Sequence, residues 1–175
     1  MPDDRAVRLR PLSAADEEAA LAAHAELARE SFPFLLGWKD QAWAAYLDSL
    51  EAERHGRALP EGWVPSTFLV AEVDGQLVGR VSVRHRLNEH LAEVGGHIGY
   101  CVRPGARRRG YATQILRGSL SIARDLGLER VLVTCDDDNV GSATIIERGG
   151  GVLDTVISGR DGGPPKRRYW IPVPA

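Results

Sequence analysis

One stretch restricts this chain more than any other. Residues 97–102, His97-Ile98-Gly99-Tyr100-Cys101-Val102, form a short apolar run, closed by Arg103-Pro104-Gly105 and followed by Arg107-Arg108-Arg109-Gly110-Tyr111-Ala112. The run has the length and composition of a strand. Gly110 to Leu126 has helical spacing, with Ile115, Leu116, Ser119, Ile122, Ala123 and Leu126 on the expected buried stripe and Gly127 as the stop. A strand therefore enters a basic, glycine-containing turn that opens a helix. Such a turn aims backbone N–H groups and the positive end of a helix dipole at one spot. A phosphate-bearing ligand fits there, and a diphosphate fits best. Gly110 allows close approach, Ala112 leaves the helix start open, Thr113 adds a hydroxyl, and the arginines add charge-assisted bonds. A plain solvated loop has the same composition, so the neighbouring segments must decide.

The turn is not a P-loop, because it has no Gly-x4-Gly-Lys-Ser/Thr pattern and no lysine. Nor is it a dinucleotide fingerprint, which needs Gly-x-Gly-x-x-Gly after the first strand of a parallel unit. The whole chain is slightly acidic, with 22 Lys and Arg against 24 Asp and Glu over 175 residues. That balance, with no aromatics interleaved among the arginines, excludes a nucleic-acid module. No apolar run is long enough to span a bilayer, and residues 1–10 are charged with no signal-peptide core after them. Cys101 and Cys135 fall in expected strands without zinc or redox spacing, so no metal site is expected. These features set the expectation of a cytoplasmic protein with both thiols reduced.

Ala6 to Pro11 alternates apolar and charged residues as a first strand. Ser13-Ala14-Ala15-Asp16 has the start signature of a helix running to about Arg29. Pro33 breaks it, and a second helix is expected from about Asp40 to Arg54. Ser66 to Val73 and Gln76 to Leu87 read as two strands joined by Asp74-Gly75, a strong hairpin signal. On the return strand Val81 and Val83 alternate with Ser82 and Arg84. Asn88 to Gly96 is a loop or short helical turn, and Arg130 to Cys135 a buried strand. Asn139 opens a short helix ending at Gly149, and Val152 to Ile157 pairs with Arg167 to Ile171. Helices interrupt strands singly, which argues an α+β (mixed α/β) fold with one central, mostly antiparallel sheet. Nothing marks an internal boundary, so residues 1–175 are taken as one domain.

Arg107-x-x-Gly110-x-Ala112 matches the Arg/Gln-x-x-Gly-x-Gly/Ala motif of the GNAT superfamily of acyl-CoA N-acyltransferases. Asn139-x-x-Ser142, followed by Glu147-Arg148-Gly149-Gly150, resembles that family's next signature, and the order of elements is similar over nearly the whole chain. The resemblance implies a sheet splayed between its fourth and fifth strands and flanked by about four helices. It implies acetyl-CoA (coenzyme A) as cofactor and transfer of the acetyl group to a primary amine by direct attack. Amides from Arg107, Arg108, Arg109, Gly110, Tyr111, Ala112 and Thr113 would hold the diphosphate. The strand edge at Cys101 and Val102 would pair with the pantetheine arm. Asn139 and Ser142 would border the arm from the other side, although Asn139 is equally suited to cap its helix.

The family's usual proton donor, a tyrosine on the helix after the fifth strand, falls at Ile146, which cannot donate. Tyr111 and Tyr169 could replace it by residue type alone. A non-catalytic acyl-CoA-binding or sensing domain is therefore the alternative function. The candidates for a base near the strand entry are Glu89, His90, Glu93 and His97, of which we retain His97, with an ordinary pKa near neutrality, and Glu93, acting through water. Asp136-Asp137-Asp138 either complement a helix dipole or draw in a cationic amine. Lys166-Arg167-Arg168 reads as a solvated hairpin end. The loops at 55–65 and 160–168 are expected to shape the acceptor pocket. The acceptor is a small-molecule or peptidyl amine, with no nucleic acid and no membrane, and the protein a monomer or homodimer.

Overall fold

The structure is a computed structural model that describes residues 5–159 and 162–174. Asp74 and Gly75 set its longest ladder. Both have positive φ, 49° and 77°, as a two-residue hairpin matched to the strand twist requires. β2 (Ser66–Val73) and β3 (Gln76–Arg84) therefore pair antiparallel from Val73↔Gln76 to Ser66↔Arg84. β1 (Arg8–Arg10), shorter than the sequence pattern, lies against β2, and β4 (Ile98–Val102) lies against β3. β5 (Arg130–Asp136), β6 (Val152–Ile157) and β7 (Lys166–Pro172) form a second antiparallel sheet in the order β5-β7-β6. The expected splay thus goes as far as division. Among the described residues β4 has a ladder only with β3, and β5 only with β7.

There are five α-helices rather than about four: α1 (Glu17–Ala28), α2 (Trp43–Arg54), α3 (Glu89–Glu93), α4 (Tyr111–Asp125) and α5 (Val140–Arg148). The addition is α3, which Asn88 caps by accepting the Leu91 N–H at 2.9 Å. Ser13 begins a single 3-10 turn before α1, where the Asp16 carboxylate accepts from the Ser13 N–H at 2.7 Å. α2 starts three residues later than expected because Asp40 has φ 53°, outside the helical range.

Two apolar clusters cover the first sheet. One holds Val81, Val83, Ile98, Ile115, Leu116 and Ile146 under α4 and α5. The other holds Leu27, Phe34, Tyr46, Phe68 and Val70 under α1, α2 and the segment between them. The central strands are therefore covered on both faces. The stripe of α4 ends earlier than its spacing suggests, since Leu126 is 37% exposed. No helix among the described residues is long and apolar enough to cross a membrane.

Candidate functional site

The basic turn folds into a backbone concavity. Arg108 has φ 65° and Gly110 has φ 85°, so successive N–H groups turn toward one side instead of alternating. α4 follows at once, with no side-chain cap at Gly110. Arg107 is exposed but committed. Its Nε donates to Val102 O at 3.1 Å, and its two terminal nitrogens reach the Glu30 carboxylate at 3.1 and 2.6 Å. That bond lowers the Glu30 pKa and raises that of Arg107. Arg108 and Arg109 are exposed, Ala112 and Thr113 half-buried, and Tyr111 is buried in the core beneath the turn. A cleft of about 510 Å³ opens beside the turn, bordered by Arg103, Gly105, Arg109 and the β2–β3 hairpin.

β4 and β5 are sewn together at one end only. Gly95 N–H donates to Thr134 Oγ1 at 3.0 Å, His97 N–H to Leu132 O at 2.7 Å, and Leu132 N–H to His97 Nδ1 at 2.9 Å. Gly96 makes this closure possible. It has φ 60°, and a Cβ there would lie 2.3 Å from Leu132 O. Past His97 the two strands have no ladder, so Cys101 and Val102 lie on an edge that faces the gap between the sheets. Across the gap, Asn139 caps α5 by accepting the Ser142 N–H at 3.0 Å. The Tyr100 hydroxyl shares a hydrogen bond with Ser142 Oγ at 3.1 Å. The structure thus brings Cys101, Val102, Asn139 and Ser142 to the two walls of one gap, with the turn beyond the end of β4.

The candidate bases fare differently. His97 is 6% exposed, and its Nδ1 is already an acceptor for a backbone N–H, which leaves the ring proton on Nε2. Burial, with help from the Arg84 charge, lowers its pKa to about 4. A neutral ring with one nitrogen occupied is a weak base, so the geometry makes His97 a clasp between the sheets instead. Glu93 is exposed at the end of α3. The acidic run is not available to attract an amine as a whole. Asp136 pairs with Lys166, and Asp137 pairs with Arg167 at 2.6 Å. Arg168 pairs with Asp154 at 2.9 Å, so the expected solvated hairpin end is a row of ion pairs. Arg160, in the loop expected to shape the pocket, lies outside the described residues. Tyr169 donates to Glu147 at 2.9 Å, and Ile146 is fully buried.

Two features had no clear signal in the sequence. Tyr100 reaches the gap because β4 turns its even-numbered residues toward α4 and α5. Arg80, on β3, turns inward against the segment between α1 and α2, where it donates to Pro33 O, and half-buried Arg84, on the same strand, turns toward Gly95 and Gly96.

Paired antiparallel sheets, parted at one strand edge and facing an uncapped helix start, define a fold built around an extended, phosphate-bearing ligand. The chain matches the acetyltransferase (GNAT) domain over residues 6–152 and belongs to that family. No curated protein sequence matches it. Among solved structures it is similar to RimJ of Mycobacterium smegmatis in complex with a CoA disulfide, with TM-score 0.71 and 22% identity over 95% of this chain and 81% of that one. It is also similar to an N-acetyltransferase from Staphylococcus aureus Mu50, with TM-score 0.67 and 16% identity over 96% and 99% of the two chains. A third is RimL, a ribosomal L7/L12 alpha-N-protein acetyltransferase in complex with coenzyme A, with TM-score 0.69 and 16% identity over 98% and 97%. At such identities these three show a shared fold.

Proposed function

We propose that the chain transfers the acetyl group of acetyl-CoA to a primary amine, both being bound together. The observation that carries this reading is the one-ended gap between β4 and β5, which lies beside the uncapped start of α4. The residues fit the coenzyme. Amides from Arg107 to Thr113 hold its diphosphate, the β4 edge at Cys101 and Val102 orients its pantetheine arm, and Asn139 and Ser142 border the arm opposite. The coenzyme supplies an acetyl thioester, already activated toward amines. The chain supplies orientation and a proton. Burial raises the Tyr100 pKa, so its hydroxyl stays protonated near neutral pH, and it lies in the gap where Ile146 provides nothing. Tyr100 is the residue we assign to protonate the departing thiolate. No base is assigned. Once bonded to the acetyl carbon, the attacking nitrogen gives up one proton as the amide forms, and this balances the proton that the departing thiolate takes; an amine that arrives protonated must lose a further proton before it attacks.

The alternative, a domain that binds acyl-CoA without turning it over, draws on Ile146. CoA should raise the melting temperature under either reading, because it binds only the folded chain. Thiol release from acetyl-CoA with a panel of amines separates them. Tyr100→Phe should lower kcat about tenfold or more with little change in KM for acetyl-CoA. An unchanged kcat removes Tyr100 from the mechanism.

A further inference from the structure

A second polar site lies on the opposite face of β4. Ile98, Tyr100 and Val102 pack toward α4 and α5, whereas Cys101 packs with the cluster under α1 and α2. Gly99 shares the Cys101 face, since strand side chains alternate. Two arginines meet there. Arg80 is 3% exposed. Its terminal nitrogens donate to Gly99 O at 3.1 Å and Pro33 O at 2.8 Å, the Phe32 ring lies over it at 5.1 Å, and its buried Nε has no partner. Arg84 donates from Nη1 to Gly95 O at 2.9 Å and Gly96 O at 3.0 Å.

Both guanidiniums border one spot. A methyl at Gly99 would lie 3.5 and 3.6 Å from the two terminal nitrogens of Arg84, and 3.9 Å from Nη1 of Arg80. Among the described residues neither arginine forms an ion pair, whereas Arg10, Arg103, Arg107, Arg167 and Arg168 all do. Glu53 is the acid whose charge acts on Arg84, and it is bonded to Ser66 Oγ. Tyr46 and Cys101 beside Arg80, and His97 beside Arg84, bring no carboxylate. A cation as buried as Arg80 without an ion-pair partner costs several kcal/mol, and half-buried Arg84 beside it adds repulsion that the Glu53 charge offsets only in part. Carbonyl bonds position these guanidiniums without neutralising them. An oxyanion seated over Gly99 does both.

We propose that Arg80 and Arg84 bind an oxyanion carried by the acceptor, so that the amine this chain acetylates also bears a carboxylate or phosphate group. The inference rests on the N-acetyltransferase reading and narrows its substrate class. Gly99 is two residues from Cys101, about 7 Å along the strand, so the acceptor is short.

The test compares matched amines at saturating acetyl-CoA: β-alanine against β-alaninamide, and phosphoethanolamine against ethanolamine. In at least one pair the charged member should have a kcat/KM ten times higher or more, and that pair identifies the oxyanion. Gly99→Ala fills the spot at ordinary contact distance, and Arg84→Met removes one cation. Each should cut the preference at least fivefold in protein whose melting temperature still rises with CoA. Equal kcat/KM within both pairs overturns the oxyanion site and leaves the N-acetyltransferase reading standing. If no amine is turned over, that reading fails and inorganic sulfate decides the rest. A higher Tm in sulfate than in chloride at equal ionic strength, in the wild type but not in Gly99→Ala, supports the site. The same Tm in both salts overturns it.

Discussion

Arg107 and Arg80 each donate a hydrogen bond to a carbonyl of β4, Val102 O for one and Gly99 O for the other. Their surroundings differ in every other respect. Arg107 sits in water with Glu30 across from it, in a turn where the proposed anion-binding groups are amides of the backbone. Arg80 is enclosed, with half-buried Arg84 beside it; among the described residues neither forms an ion pair, and both donate to backbone carbonyls. At Arg107 the charge is already balanced, and under the proposed function the backbone of the turn is offered to a ligand. Under α1 and α2 the backbone is already used and the charge is what remains. A cluster of arginines in a sequence does not say which of these two arrangements it will form.

The largest expected effect concerns the field of Arg84, half-buried beside Arg80. His97 titrates near 6.5 when unfolded and at about 4 when folded, first because it is buried and then because Arg84 is near. Between those pH values the unfolded chain holds the proton and the folded chain does not. This contribution is complete above pH 6.5 and is lost as pH falls to about 4, amounting to about 3 kcal/mol. Denaturant unfolding across that range measures it. His97→Asn, which keeps an acceptor for the Leu132 N–H but cannot titrate, should flatten the curve. Arg84→Met should shrink the loss, and a curve unaltered by Arg84→Met would mean that the buried charge is compensated after all.

Next comes a built-in counter-ion. Gly99→Asp places a carboxylate between the two guanidiniums and should stabilise the fold by about 2 kcal/mol, the scale of hydrogen bonds to charged groups. Thermal unfolding would show a Tm higher by several degrees, and a lower Tm would erase the contrast with the turn.

The turn itself should respond through its backbone. Gly110→Val forces a branched residue into φ 85° and should raise KM for acetyl-CoA roughly tenfold, in line with a strain of about 1–2 kcal/mol. Arg107→Ala should change that KM by about twofold at most, with a small loss of Tm that salt removes, because its charge is spent on an exposed carboxylate. A larger effect for Arg107→Ala than for Gly110→Val would show the side chain, not the amides, to be the ligand.

The local signals in the chain translated well. Asp74-Gly75 placed the hairpin turn, although β3 stops at Arg84, three residues short of the expected Leu87; Asn139 placed a cap, and Gly110 placed the start of α4. Those features depend on backbone conformation within a few residues. What depended on partners far along the chain was not legible. The Ser82 and Arg84 alternation ordinarily marks a wet face, yet α1 and α2 cover that face and bury Ser82 to 1% exposure. His97 had the composition of a base and became a clasp because Leu132, far along the chain, meets it. Asp136 and Asp137 lost their apparent freedom to β7, whose register no local pattern could announce.

The stitch at Gly95–His97 also has a consequence for what can enter the gap. A slot open at the turn and shut at His97 has a fixed depth, about 17 Å along β4. It is a gauge as well as a seat. A thioester arm that filled it would leave little length for a long acyl tail, so the same three hydrogen bonds that hold the sheets together would also favour a short acyl group over a long one.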